Sequence, residues 1–148
     1  MYTIYLVRHS EKEAASTMDS SDPPLTPCGE QRSESLSRFL SDVKLDVIYS
    51  TDYTRTKNTA LPTAKSKGLV IQEYDGETLE DFSKLLLKRK QDALVVGHSN
   101  TTGVLAGLLV GEEIGEFDLD IYDRVYQVAF HKKRGRLHLL HTAFKCNE

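Results

Sequence analysis

The stretch Asp92-Ala93-Leu94-Val95-Val96-Gly97-His98-Ser99-Asn100 decides the architecture to expect. Its centre is an unbroken apolar run of strand length, the pattern of a parallel strand buried on both faces. Such a strand sits in the middle of a sheet with helices on both sides. The glycine, histidine and capping-type residues that end it then fall at the carboxyl edge, where open α/β sheets bind ligands.

Outward from this strand, apolar strands alternate with amphipathic helices, the signature of a layered α/β domain. Residues 2–8, 44–50 and 69–73 read as three further strands. Thr26 is placed to cap a helix with Pro27 at its first position and Glu30 in its first turn. Leu36, Phe39, Leu40 and Val43 recur along it as one buried face. A second helix is predicted over 52–67, kinked or shortened by Pro62. A third, over 78–90, buries Leu79, Phe82 and Leu86 and exposes Glu80 and Lys84. A fourth starts near Asn100 and carries Val104, Leu105, Leu108 and Leu109, with Gly103, Gly107 and Gly111 spaced for close contact with the sheet. Residues 124–130 and 136–140 read as an antiparallel hairpin with a solvated basic turn at 131–135, and the acidic stretch 112–123 as an exposed loop. The expectation is one domain over 1–148: a three-layer α/β/α sandwich whose mostly parallel sheet ends in an antiparallel edge hairpin.

Composition narrows the functional classes. A chain of 148 residues that is 39% hydrophobic and 28% charged, with 9 Gly and 4 Pro, folds around a core rather than staying disordered. The most apolar stretch, 103–111, is too short to cross a bilayer. The run Thr3-Ile4-Tyr5-Leu6-Val7 follows Met1 too closely for a secretory leader, so the expected location is the cytoplasm, without membrane contact. Nineteen Lys and Arg against 22 Asp and Glu leave a net charge of −3, which supplies no field for collecting nucleic acid. Cys28 and Cys146 stand far apart without metal spacing and read as two free thiols. His138 and His141, three apart on a strand, point to opposite faces and do not make a metal pair.

The strand ends hold the chemistry. The first strand ends in Arg8-His9-Ser10-Glu11, the second in Ser50 with Arg55 one turn into the next helix, the third in Glu73 and Asp75, and the fourth in His98-Ser99-Asn100. Two histidines, two arginines and carboxylates on one edge suit phosphoryl transfer, which needs positive charge around phosphate oxygens, an in-line nucleophile and a proton for the leaving group. Arg8 and Arg55 each offer a planar fork of donors, and His98 a further one. The helix beginning near Asn100 adds backbone donors, with Ser99 and Asn100 as caps beside phosphate. A neutral His9 can attack phosphorus itself. A phosphate loop of the Gly-x-x-x-x-Gly-Lys type and a Gly-x-Ser-x-Gly elbow are both missing from the sequence, which disfavours P-loop and serine-esterase chemistry.

Leu6-Val7-Arg8-His9-Ser10-Glu11 resembles the arginine–histidine signature of the histidine phosphatase superfamily, the phosphoglycerate mutase-like proteins. Leu25-Thr26-Pro27-Cys28-Gly29 resembles that family's turn into the first helix, Ser50 to Ala60 its segment with the second phosphate-binding arginine, and Val95 to Asn100 its second histidine. The resemblance implies a phosphoglycerate mutase-like fold, His9 as the phosphorylated nucleophile, and a phosphate pocket of Arg8, Arg55 and His98 without a metal or other cofactor. Ser10 departs from the family's usual glycine and would either narrow the approach to phosphate or hydrogen-bond it. The chain lacks the insertion after the third strand on which many members carry the general acid. Asp75 is the leading candidate for that role, followed by Glu73 and Glu11. A weakly supplied acid favours a phosphoramidate, whose nitrogen leaving group is easily protonated. The compact length resembles the small phosphohistidine phosphatase branch. The expected function is therefore a phosphatase acting on a phosphorylated protein, with inorganic phosphate as product. The alternatives are a phosphomonoesterase acting on a small-molecule phosphate and a noncatalytic phosphate-binding module.

Overall fold

The computed structural model describes residues 1–14 and 22–146. The elements run β1 (Tyr2–Arg8), α1 (Pro27–Phe39), β2 (Val47–Ser50), α2 (Thr54–Lys67), β3 (Ile71–Glu73), α3 (Leu79–Arg89), β4 (Ala93–Gly97), α4 (Thr102–Val110), β5 (Arg124–His131) and β6 (Arg134–His141). They form a six-stranded sheet of order β3-β2-β4-β1-β5-β6. The first four strands of that order are parallel, and β5 and β6 add on antiparallel beside β1. β4 lies between β2 and β1 with all five residues buried, as its apolar run requires.

Side-chain alternation along the strands divides the core into two layers. Ile4, Leu6, Ala93 and Val95 pack toward Phe82 and Leu86 of α3 and Leu105 and Leu109 of α4. Tyr5, Val7, Leu94 and Val96 pack toward Leu36 of α1 and Ala60 and Ala64 of α2. The α/β/α sandwich follows from those two faces. The helices after β1 and after β4 leave on opposite faces of neighbouring strands, so a crevice opens between the carboxyl ends of β1 and β4.

Several local expectations are corrected. α1 begins as expected, with the Thr26 hydroxyl accepting from Gly29 N at 3.0 Å, but it stops at Phe39, whose ring is 42% exposed. Leu36 and Leu40 are buried and Val43 packs against the same cluster as expected, with Gly29 and Ser33 completing the buried face in place of Phe39. A Cβ on Gly29 would run into the Glu11 carbonyl oxygen, so this close approach requires glycine. Pro62 sits inside an uninterrupted α2 of 14 residues. Gly103 and Gly107 admit the backbone of residues 112–115 rather than the sheet. The hairpin turn is shorter than predicted, Lys132-Lys133 with Lys132 at φ 60°, because both strands extend to take in His131 and Arg134. Cys28 and Cys146 are not free thiols: they are joined as a disulfide with Cα atoms 5.4 Å apart. Their spacing in sequence could not show that the chain's end returns to the start of α1. His138 and His141 bond separately, to Gln127 and to Asp123. Among the described residues no helix is long and apolar enough to cross a membrane.

Candidate active site

β1 and β4 run in register with Arg8 opposite Gly97, and His9 N donates to the Gly97 carbonyl at 2.9 Å. This pairing sets the residues that follow each strand side by side. The His9 and His98 rings meet edge to face with centroids 5.5 Å apart.

His9 is 3% exposed, and its Nδ1 lies 2.7 Å from the Ser10 carbonyl oxygen. A carbonyl only accepts, so Nδ1 carries the proton and Nε2 keeps its lone pair. Burial above all, with help from Arg8, His98 and Arg55, pushes the His9 pKa from 6.5 down to about 3, against the raising effect of the Ser10 carbonyl. The ring is therefore neutral and fixed in one tautomer, the state a nitrogen nucleophile needs.

His98 is oriented by a chain of hydroxyls. Thr51 donates its proton to Thr56 Oγ1 at 2.9 Å, and the Thr56 hydroxyl lies 3.0 Å from the Thr51 carbonyl. The Thr51 oxygen is thus left to accept from His98 Nε2 at 2.9 Å. Nδ1 is consequently the nitrogen whose protonation can change. Burial first, then Arg55 and Arg8, lowers the His98 pKa to about 4.

The two arginines enter differently. Arg8 is 7% exposed, and its Nη1 donates to the Leu119 and Ile121 carbonyls at 2.7 and 2.8 Å. Its guanidinium lies 3.9 Å from the centre of the Tyr122 ring. Burial lowers its pKa, although Tyr122 and Glu11 act in the opposite direction. Arg55, in the first turn of α2, stacks on Tyr53 at 4.5 Å. The Nε atoms of Arg8 and Arg55 are both buried without a partner among the described residues. Unsatisfied buried donors on cations suit an anion that accepts from both.

Arg55 and His98 line a cleft of about 750 Å³ together with Thr51, Tyr53, Asp75 and Asn100. The structure thus brings Asp75 and Asn100 into the same cavity as Arg55 and His98; the buried His9 ring meets His98, and Arg8 lines a small neighbouring cavity with Ser10, Arg32 and Tyr122. Other expected residues stand elsewhere. Ser33 donates to the Gly29 carbonyl, so the Ser10 hydroxyl is the donor in its 3.0 Å bond to Ser33 and is committed to α1 rather than to the cleft. Glu11 is held by Arg32 through contacts of 2.8 to 3.1 Å. Glu73 lines the cleft but is paired with Lys57 at 2.7 Å. The N–H groups of Thr101 and Thr102 are spent on the His98 carbonyl, and α4 is preceded by Thr101, not Asn100.

Sequence reasoning missed Thr51, Tyr53 and Tyr122. Thr51 had a readable signal, as the hydroxyl residue directly after β2. Tyr122 had none, because it reaches Arg8 and comes within 6.2 Å of His9 only through the fold of a segment read as a free loop.

Because both histidines are held neutral, the unfolded chain binds more protons than the folded one between pH 6.5 and about 4. Stability is full above pH 6.5 and is lost as pH falls through that window, by up to about 1.4 kcal/mol per pH unit for each histidine. Urea midpoints measured from pH 7.5 to 4 are expected to fall accordingly, and His9→Ala to reduce the slope by about half. A flat profile would contradict the burial of both rings.

Known proteins resemble the chain in sequence and in fold. In curated sequences the chain is 31% identical over 134 residues to "Probable phosphoglycerate mutase GpmB" of Salmonella paratyphi A, an alignment covering 85% of this chain. The chain spans 37 to 60% of the length of the curated relatives it matches. Among solved structures it superposes on the alpha-ribazole phosphatase of Shigella flexneri with a TM-score of 0.76 at 16% identity, covering 95% of this chain and 96% of that one. It also superposes on the protein histidine phosphatase SixA complexed with tungstate, with a TM-score of 0.75 at 17% identity and coverage of 94% and 96%. Residues 4–77 match the sequence model of the histidine phosphatase superfamily, branch 1, and with half the chain so matched, this protein belongs to that superfamily.

Proposed function

We propose that the protein is a phosphatase in which His9 Nε2 attacks phosphorus. The new P–N bond forms as the bond to the leaving group breaks, and that group departs with a proton from Asp75 or from solvent. Water then displaces His9 and releases inorganic phosphate. Arg8 and Arg55 hold the phosphoryl oxygens. His98 joins them once a phosphate dianion restores the proton that burial removes, since its Nε2 proton is committed to Thr51. These steps require no metal or cofactor. The observation that carries the reading is the free Nε2 of a neutral His9 beside His98 and two guanidinium groups with unpartnered buried Nε atoms.

Phosphohistidine on a protein is the substrate best suited to a site whose acid is one exposed carboxylate, because nitrogen leaves readily once protonated. We assign this activity to one domain over 1–148. Phosphate release from a phosphohistidine peptide is expected to exceed that from an alkyl phosphate at least about tenfold, with His9→Ala as the blank. Equal or faster turnover of the alkyl phosphate would move the protein to small-molecule phosphomonoesters. Binding of both without turnover would leave a phosphate-binding module.

Thr51 acts through His98 as a positioning residue. Thr51→Val is expected to lower kcat about 5- to 30-fold, the worth of one buried hydrogen bond. It should also shift the acid limb of the pH–rate profile, while Thr51→Ser restores both. An unshifted profile with lowered stability would reduce Thr51 to a structural role.

A further inference from the structure

The leaving-group end of the cleft carries the opposite charge from its phosphate end. Among the described residues lining it, Arg55 is the only lysine or arginine, and it belongs to the phosphate end. Asp52, Glu73, Asp75 and Glu77 line the remainder. Lys57, outside the lining, reaches Asp52 and Glu73 at 2.7 Å each and offsets one of the four charges. Asp75 and Glu77 have no ion pair among the described residues. The undescribed segments 15–21 and 147–148 contain no lysine or arginine that could supply one. The Asp75 carboxylate accepts from Glu77 N at 2.8 Å, which keeps these two side chains at the same turn.

A substrate with a second anion, such as a phosphorylated carboxylic acid, would meet four carboxylates and find no second cation. A substrate with a positive charge near its phosphoryl group would be attracted at both ends. Resting on the phosphatase reading above, we infer that this site selects phosphoryl compounds whose leaving group carries a cation, an ammonium or imidazolium close to the phosphorus, and rejects those bearing a carboxylate there. The acidic lining sets the leaving-group preference, while Arg8, Arg55 and His98 hold the phosphoryl group itself. Exposed Tyr53, stacked on Arg55 and edge-on to His98, adds an aromatic wall that tolerates a cation.

Three phosphonates of similar size test this by titration calorimetry without needing turnover: 2-aminoethylphosphonate, propylphosphonate and 3-phosphonopropionate. The amine is expected to bind about fivefold more tightly than the neutral compound, and the carboxylate to bind weakest. Raising salt from about 0.05 to 0.5 M should compress the series, because exposed charges are screened. Glu77→Gln should narrow it at low salt. Equal affinities, or tightest binding of the carboxylate, would overturn the inference even if the protein proves to be a phosphatase. The expected order without any His9-dependent phosphate release would instead uphold the charge preference and overturn the catalytic reading. Phosphohistidine peptides with lysine or glutamate flanks then identify the source of the cation. A preference for lysine flanks assigns it to the peptide, and indifference to flanks assigns it to the leaving group itself.

Discussion

His9→Ala is expected to abolish phosphate release, lowering kcat by at least about 10⁴-fold. The size of the effect follows from the proposed role: without Nε2 no covalent intermediate forms, and the arginines can only bind the substrate. The loss should be catalytic rather than structural. The ring is neutral and, among the described residues, its side chain makes one hydrogen bond, to the Ser10 carbonyl beside it, so the variant keeps its fold at pH 7. Inorganic phosphate should therefore still bind, through Arg8, Arg55 and His98. Trapping separates the steps most directly. Brief exposure of the wild type to labelled substrate should leave an acid-labile, base-stable phosphoryl label on the protein, as expected for a phosphoramidate, and His9→Ala should show none. A label that persists in the variant would transfer the nucleophile's role to another residue.

The strands of the parallel sheet were legible because both their faces are buried: residues 93–97 could be read as central from composition alone, and β4 occupies that place. The strand ends were legible for a related reason. Polar and charged residues that follow an apolar strand must emerge at its carboxyl edge, which fixes where His9, His98, Asp75 and Arg55 lie before their contacts are known. What could not be read depends on contacts between distant segments. The face of α1 was misjudged at Phe39 because a 3.6-residue period cannot show where a helix stops. The Cys28–Cys146 pair and the Glu11–Arg32 pair both join the start of the chain to later elements. Ser10 looked like a phosphate ligand from its neighbours in sequence, but Ser33 on α1 takes its hydroxyl. The acidic segment 112–123 was the largest omission. Its composition is that of a solvated loop, yet its Leu119 and Ile121 carbonyls bind Arg8 and its Phe117 N–H donates to the Ser99 carbonyl beside His98, and backbone groups leave no trace in a sequence.

That omission makes Arg8 the second residue whose loss should be severe. Its Nη1 binds two carbonyls 111 and 113 residues away, its plane lies against Tyr122, and its Nε has no partner among the described residues. One guanidinium thus fastens the 112–123 segment and, in the proposed site, offers a donor to phosphate. Hydrogen bonds to a charged group contribute about 1.5–3 kcal/mol each, and one lost charged donor in a phosphoryl-transfer site lowers the rate about 10²- to 10³-fold. Arg8→Ala is expected to incur both penalties: a loss of about 3–6 kcal/mol in stability and a collapse of kcat/KM. Arg8→Lys is the sharper experiment, because it keeps the charge and most of the stem. A single ammonium cannot span Leu119 O, Ile121 O and a phosphate oxygen in the plane the guanidinium occupies, so the lysine variant should recover little of either property. Arg55→Ala provides the contrast: it should weaken phosphate binding to a comparable degree and leave the segment in place, since the Arg55 guanidinium stacks on Tyr53 rather than on a residue of that segment. Limited proteolysis with and without inorganic phosphate distinguishes the two. Cleavage within 112–123 should appear in both Arg8 variants and stay absent in Arg55→Ala. If Arg8→Lys retained wild-type phosphate affinity and a protected segment, the double role of Arg8 would be wrong, and the buried Nε would need another explanation.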